Sequence, residues 1–144
     1  MPPSKKNAKK TAPLKPCDSQ RLLIVDDDAA VRQTFQAIIS GALPDLKIDI
    51  ATDGTEAVEV FRAAHQGIVL MDIYLPVMNG LEAYNQIELQ CSVSKWQMPR
   101  MVFCSGFFPS ATLKGIVEAN PEHCILHKPV RNELLIETIK ERMA

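Results

Sequence analysis

The sequence sets ionisable residues at the ends of apolar runs. LLIV leads into Asp26, Asp27 and Asp28, IVLM into Asp72, MVFC into Ser105, and CILH into Lys128. Carboxylates gathered within a few ångströms repel, and at least one pKa rises unless a cation joins them. Carboxylate, carbonyl and water oxygens are ligands that Mg2+ accepts. An ammonium beside them neutralises further and holds an oxyanion as a point charge, and a hydroxyl donates to the same oxyanion. Such a set suits a phosphoryl group on or near a carboxylate. Aspartate is a competent nucleophile toward phosphate, and phosphoryl transfer needs mainly positioning and charge neutralisation.

Taken singly these signals are weak. An Asp triplet most often marks a turn or a helix cap, and a lone serine or a Lys-Pro pair carries almost no information. The run Asp72-x-x-x-Pro76-x-x-Asn79-Gly80 is more specific. Proline and Asn-Gly turn the chain back after the strand, so that the next helix leaves the carboxylate uncovered.

The elements that must carry these residues alternate along the chain. RLLIVD reads as a short strand; Val31, Phe35, Ile38, Ile39 and Ala42 then recur at helical spacing behind Asp28 as cap. LKIDIAT alternates as a strand and ends without charge at Ala51 and Thr52. Ala57, Val60, Phe61 and Ala64 share one face of a second helix, with Asp53 and Glu56 spaced like a capping box. GIVLMD is continuously apolar, as a strand covered on both faces should be. Asn79 caps a helix to about Cys91, RMVFCS is the fourth strand, and Ser110 to Ala119 reads as a helix. HCILHK is the fifth strand, and RNELLIETIKERM closes the chain with Leu135, Ile139 and Met143 inward. Five strands alternating with five helices predict a parallel sheet with helices on both faces, and in such sheets ligands sit at the carboxyl ends of the strands.

The 144-residue chain suits one domain, and 47% hydrophobic with 23% charged residues is ordinary for a soluble one. No apolar run reaches the roughly 20 residues that cross a bilayer. Residues 1–17 carry five lysines, four prolines and no acid, which leaves the rest of the chain at −6. This reads as a basic, disordered arm. A solubilising tail is its plain explanation; contact with nucleic acid, a membrane or an acidic partner is the sharper one, and nucleic acid is not expected. Cys17, Cys91, Cys104 and Cys124 form no C-x-x-C pair, which suits reduced thiols in the cytoplasm. His123-Cys124 lacks the convergent partners that zinc requires.

Together LLIVDDD, VLMDIYLPVMNG, FCSG and LHKPV resemble the receiver domain of bacterial two-component response regulators, over about residues 20–143. The likeness is to single-domain, chemotaxis-regulator-like receivers. It implies a flavodoxin-like α/β fold, a doubly wound five-stranded parallel sheet of order 2-1-3-4-5 with five helices, in residues 20–144 behind an arm of residues 1–19. It further implies that Asp72 accepts phosphate from a histidine kinase or phosphotransfer protein. Asp27, Asp72 and the Tyr74 carbonyl would bind Mg2+ directly, with Asp26 acting through a metal-bound water. Ser105 and Lys128 would hold the phosphoryl oxygens. The signal would leave by altered contact with a downstream effector protein, and the only chemistry would be phosphorylation and dephosphorylation of Asp72 itself.

The sequence departs from the family pattern where an aromatic residue usually precedes the lysine by three positions; here Ile125 stands there. Leu75 replaces a common Met, with little consequence expected. Tyr74 and Phe107 flank the approach of hydrolytic water and predict a long-lived phosphoryl group. His127 is expected to point away from the side Lys128 faces, and Trp96 to pack locally. Two other readings compete. Haloacid-dehalogenase-like phosphatases use a D-x-D pattern, which Asp26 and Asp28 match formally, but a late acidic pair is missing. A receiver-like interaction module that takes no phosphate is the other, and Ile125 is what favours it.

Overall fold

The computed structural model describes residues 13–143. Strand β1 (Asp18–Val25) is followed by helix α1 (Ala29–Ala42), β2 (Lys47–Ala51), α2 (Gly54–Ala64) and β3 (Gln66–Asp72). Then come α3 (Gly80–Ser94), β4 (Arg100–Ser105), α4 (Ala111–Ala119), β5 (Cys124–His127) and α5 (Asn132–Met143). The strands form one sheet in the order β2-β1-β3-β4-β5, and every pairing is parallel.

Alternation along the strands divides the core in two. Leu23, Val25, Val69, Met71, Met101 and Phe103 face α2 and α3, meeting Ala57, Phe61, Ala83 and Ile87. Leu22, Ile24, Ile68, Leu70, Val102 and Leu126 face α1 and α5, meeting Phe35, Ile39, Leu135 and Ile139. Every residue of β3 is buried, as its unbroken apolar run requires. Helix α4 is held less tightly, with Leu113 its one buried residue.

The caps follow the sequence. Asp28 accepts from the Ala30 and Val31 N–H groups, Asp53 from Glu56, Asn79 from Glu82 and Ser110 from Leu113. The expected capping box is only half formed, because the Glu56 carboxylate takes the Thr52 hydroxyl instead (3.1 Å). Sequence reading also missed Asp49, which accepts from Arg21 Nε (2.7 Å) and Gln66 Nε2 (2.9 Å) and so ties β2, β1 and β3 together.

The expected domain boundary after residue 19 needs correction. Residues 1–12 of the basic arm lie outside the described residues, but Pro13 to Ser19 belong to the folded unit. Lys15 makes a parallel bridge to Trp96, donating its N–H to the Lys95 carbonyl (2.9 Å) and accepting from Gln97 N–H (2.8 Å). Its ammonium lies 5.7 Å from the Trp96 ring centroid. Trp96 stacks on His65 with centroids 4.3 Å apart, and Cys17 Sγ reaches the Gln97 carbonyl at 3.2 Å. Trp96 therefore packs as expected, but against a segment assigned to the arm. Among the described residues, no helix is long and apolar enough to cross a membrane.

Candidate functional site

The sheet order reverses between β1 and β3, and the acidic residues gather there. Asp26, Asp27 and Asp72 each offer a carboxylate oxygen, all within 4.8 Å of one another. Asp26 and Asp72 are buried and Asp27 is exposed. The third residue of the triplet, Asp28, is spent on the α1 cap, and its N–H donates to Asp26 Oδ1 (3.0 Å). Arg32, which sequence reading passed over, donates from Nη1 to the Asp26 carbonyl (2.8 Å) and fixes the loop from α1. Its one cue was its position one turn beyond the cap.

Lys128 enters from the end of β5. Its Nζ donates to Asp26 Oδ2 (2.9 Å) and Asp72 Oδ2 (3.0 Å). Burial lifts the Asp72 carboxyl above the ordinary carboxylate range; Lys128 opposes this, and Asp26 adds to it. Burial also works against the Lys128 charge, but hydrogen bonds to Asp26 and Asp72 outweigh it and the amine titrates above its usual range. The Lys128–Pro129 peptide is cis. Neighbouring His127 is exposed.

Ser105 ends β4, one residue beyond Cys104, the partner of Asp72 in the ladder. It is buried, but its hydroxyl is turned onto its own loop, donating to the Phe107 carbonyl (2.9 Å) and accepting from the Phe107 N–H (3.2 Å). The Tyr74 N–H donates to Asp72 Oδ1 (3.2 Å), and its ring meets Phe107 edge-on with centroids 4.9 Å apart. Ile125 is partly buried against the core and pairs with Phe103. The His123-Cys124 pair is not a metal site: His123 Nδ1 accepts from the Met101 N–H (3.0 Å). Among the described residues the three aspartates are the only His/Cys/Asp/Glu group placed to hold an ion. Burial pushes the Cys17 and Cys104 thiols up to about 12 and Cys91 to about 11, so all three stay protonated at neutral pH.

The loop from β3 to α3 is pinned tightly. A Cβ on Gly80 would stand 2.4 Å from the Asp72 carbonyl oxygen, and one on Gly54 would stand 2.0 Å from that of Met78. Between these points the Met78 N–H donates to the Pro76 carbonyl (2.7 Å) across Val77, whose φ is 67°. That is a γ-turn with positive φ, strained for a β-branched residue. Val77 is 86% exposed, so trimming it loses no packing. Val77→Gly is expected to stabilise the protein by about 1 kcal/mol, the relieved strain less the entropy of glycine. Urea unfolding checks this, and a loss of stability would show the turn to be unstrained.

Acidic groups and a lysine at the switch point of a doubly wound sheet define a class, the α/β domains that hold an anionic group at the carboxyl edge of their strands. The family model of the response regulator receiver domain matches residues 22–140. Chemotaxis protein CheY of Thermotoga maritima is 31% identical over 122 residues, covering 85% of this chain and 96% of that one. The CheY-like receiver domain of Methanospirillum hungatei superposes with a TM-score of 0.70 at 25% identity, over 90% of this chain and 94% of that one. A protein-glutamate methylesterase/protein-glutamine glutaminase of Methanosarcina acetivorans is 43% identical over 68 residues, 46% of this chain. The match spans only 19% of that longer protein. The chain belongs to the response regulator receiver domain family.

Proposed function

We propose that this receiver takes a phosphoryl group onto Asp72 and signals by changing its contacts with a partner protein. The observation that carries the reading is Asp72 itself, buried at the carboxyl edge of β3 with Lys128 Nζ shared between it and Asp26. A carboxylate oxygen of Asp72 attacks the phosphorus of a phosphohistidine, the P–N bond breaks, and the imidazole leaves. The raised pKa of Lys128 keeps its ammonium charged to meet the transferred oxygens. Ser105 supplies a hydroxyl donor from β4.

The all-oxygen set of Asp26, Asp27 and Asp72 fits a hard divalent cation, and the Tyr74 carbonyl completes the set we assign to Mg2+. When bound, Mg2+ neutralises charge on the phosphoryl oxygens. A histidine kinase or phosphotransfer protein donates the group, and a downstream effector reads the result. The free thiols of Cys17, Cys91, Cys104 and Cys124 suit action in the cytoplasm.

Intact mass after treatment with acetyl phosphate and Mg2+ tests this. One phosphoryl adduct is expected on the native chain and none on Asp72→Asn. No adduct on a folded native chain would favour the phosphate-independent module that Ile125 suggests.

Tyr74 and Phe107 are 57% and 64% exposed and pack on each other beside the site, where they restrict water. The double variant Tyr74→Ala, Phe107→Ala is expected to shorten the phosphoryl half-life about tenfold, equivalent to about 1.4 kcal/mol of barrier. An unchanged half-life would show that the rings do not gate water.

A further inference from the structure

A neutral imidazole carries one N–H and one free lone pair. His123, buried immediately before β5, meets a donor at each ring nitrogen. The Met101 N–H points at Nδ1 (3.0 Å), and the Asn120 amide nitrogen stands at Nε2 (3.4 Å). Asn120 is not free to present its oxygen instead, because its Oδ1 already accepts the Glu122 N–H (2.9 Å). A backbone N–H cannot be reversed, so Nδ1 keeps the lone pair and Nε2 carries the proton. The bond from Met101 is therefore the one that holds the ring. It also has a place in the sheet. The ladder between β4 and β5 begins at Val102 and Cys124, so the imidazole stands in for a backbone acceptor one step before it.

We propose that His123 is a proton-operated catch: neutral, it clamps β5 and the end of α4 to β4, and on acidification it releases Met101 and frees that corner of the domain. A proton on Nδ1 sets two N–H groups face to face, so the ring has to leave. Little else resists, because α4 buries Leu113 alone and β5 is four residues long with Leu126 its one buried residue. The surroundings favour the neutral ring. Burial does most to hold its pKa below the ordinary 6.5; Glu122 opposes this, Arg142 on α5 assists it, and Glu88 on α3 opposes it. Tyr84 on α3 meets the ring edge-on at 6.0 Å, and its phenol, pushed up to about 12, adds no charge. The unfolded chain binds this proton more tightly than the folded one. The contribution is whole above 6.5 and is lost as pH falls from there through the folded value. Asp72 pairs with Cys104 at the far end of β4, so the acidic pocket stays outside the released corner. What opens is the groove between α3 and α4, which Tyr84, Glu88, Ile116 and Asn120 line together with His123.

Imidazole-nitrogen and amide NMR of the full chain, taken from ~pH 8 to ~pH 5 where histidine changes charge, tests the catch. At neutral pH His123 is expected to show a bare Nδ1 and a protonated Nε2. As the ring titrates, protection of the Met101 amide against hydrogen exchange, normalised to the intrinsic rate, should fall about tenfold, the scale for a buried donor left unpaired. The Asn120 and Cys124 amides should shift in step, while Leu22 in β1 keeps its protection. His123→Asn puts an uncharged oxygen where Nδ1 stands and should hold Met101 at every pH. A protonated Nδ1 at neutral pH, or a titration that leaves Met101 protected, would overturn the proposal on the parent chain alone. The same loss of protection in His123→Asn would overturn it as well.

Discussion

Replacing Lys128 with methionine is expected to cost the metal-free protein about 3 kcal/mol at neutral pH, the scale for stripping a buried charge of its partner. Methionine keeps most of the apolar stem, so the loss reports the ammonium. The Asp26 and Asp72 side chains are only 3% and 9% exposed and would face each other with no cation. The loss should shrink in acid. The Asp72 carboxyl already titrates above its ordinary 3.8 in the folded protein. Its proton is held more tightly folded than unfolded, so ionising it costs stability as pH rises from 3.8 through the folded value. Without Lys128 that window widens upward, and lowering the pH restores stability. Through Lys128 the parent should lose stability only in alkali, again as pH rises. Lys128 has a raised folded pKa, so its contribution is full below its ordinary 10.5 and is lost as pH climbs through the folded value. Urea titrations in a chelator from the ordinary 3.8 up to neutral pH would check the first arm, and Mg2+ should narrow the gap between variant and parent. A loss independent of both pH and Mg2+ would mean that packing, not charge, was removed.

Gly80→Ala is expected to cost about 3 kcal/mol, at the upper end of the range for overpacking. The added methyl meets backbone on its near side, 2.4 Å from the Asp72 carbonyl oxygen and 2.9 Å from Ile73 Cα, so no side chain can swing clear. The displacement falls on the peptide that carries Asp72, and the rate of phosphorylation by acetyl phosphate should drop on the order of a hundredfold. Gly41→Ala is the control. It lies within α1 with nothing within 4 Å of the added methyl, and it should gain about 0.5–1 kcal/mol of helix stability. A normal phosphorylation rate in Gly80→Ala would show that the loop can shift without moving the carboxylate.

The fold was legible because β3 is an uninterrupted apolar run and because the first three helices each start behind a cap residue that the sequence shows, Asp28, Asp53 and Asn79. Asp26, Asp27, Asp72 and Lys128 were legible because each stands where an apolar strand stops. What escaped depends on side-chain direction or on contacts remote in sequence. Nothing local says that the Ser105 hydroxyl turns back onto Phe107, or that Arg32 reaches the Asp26 carbonyl. The pairing of Lys15 with Trp96 joins residues 81 positions apart, and a Lys- and Pro-rich stretch masks it as tail. The half-formed capping box at Asp53 shows the same limit: spacing allows Glu56 to reach back, and a nearby Thr52 hydroxyl takes it instead.

The clip at Lys15 also fixes where an attached object would hang. Lys15 is anchored beside the last turn of α3, while Asp26, Asp72 and Lys128 stand at the opposite end of the strands. An affinity tag, fluorophore or sensor-chip linker placed upstream of Pro13 starts from the face turned away from the acidic pocket. The cation–π contact on Trp96 gives an optical gauge of whether the anchorage at Lys15 has survived such a coupling.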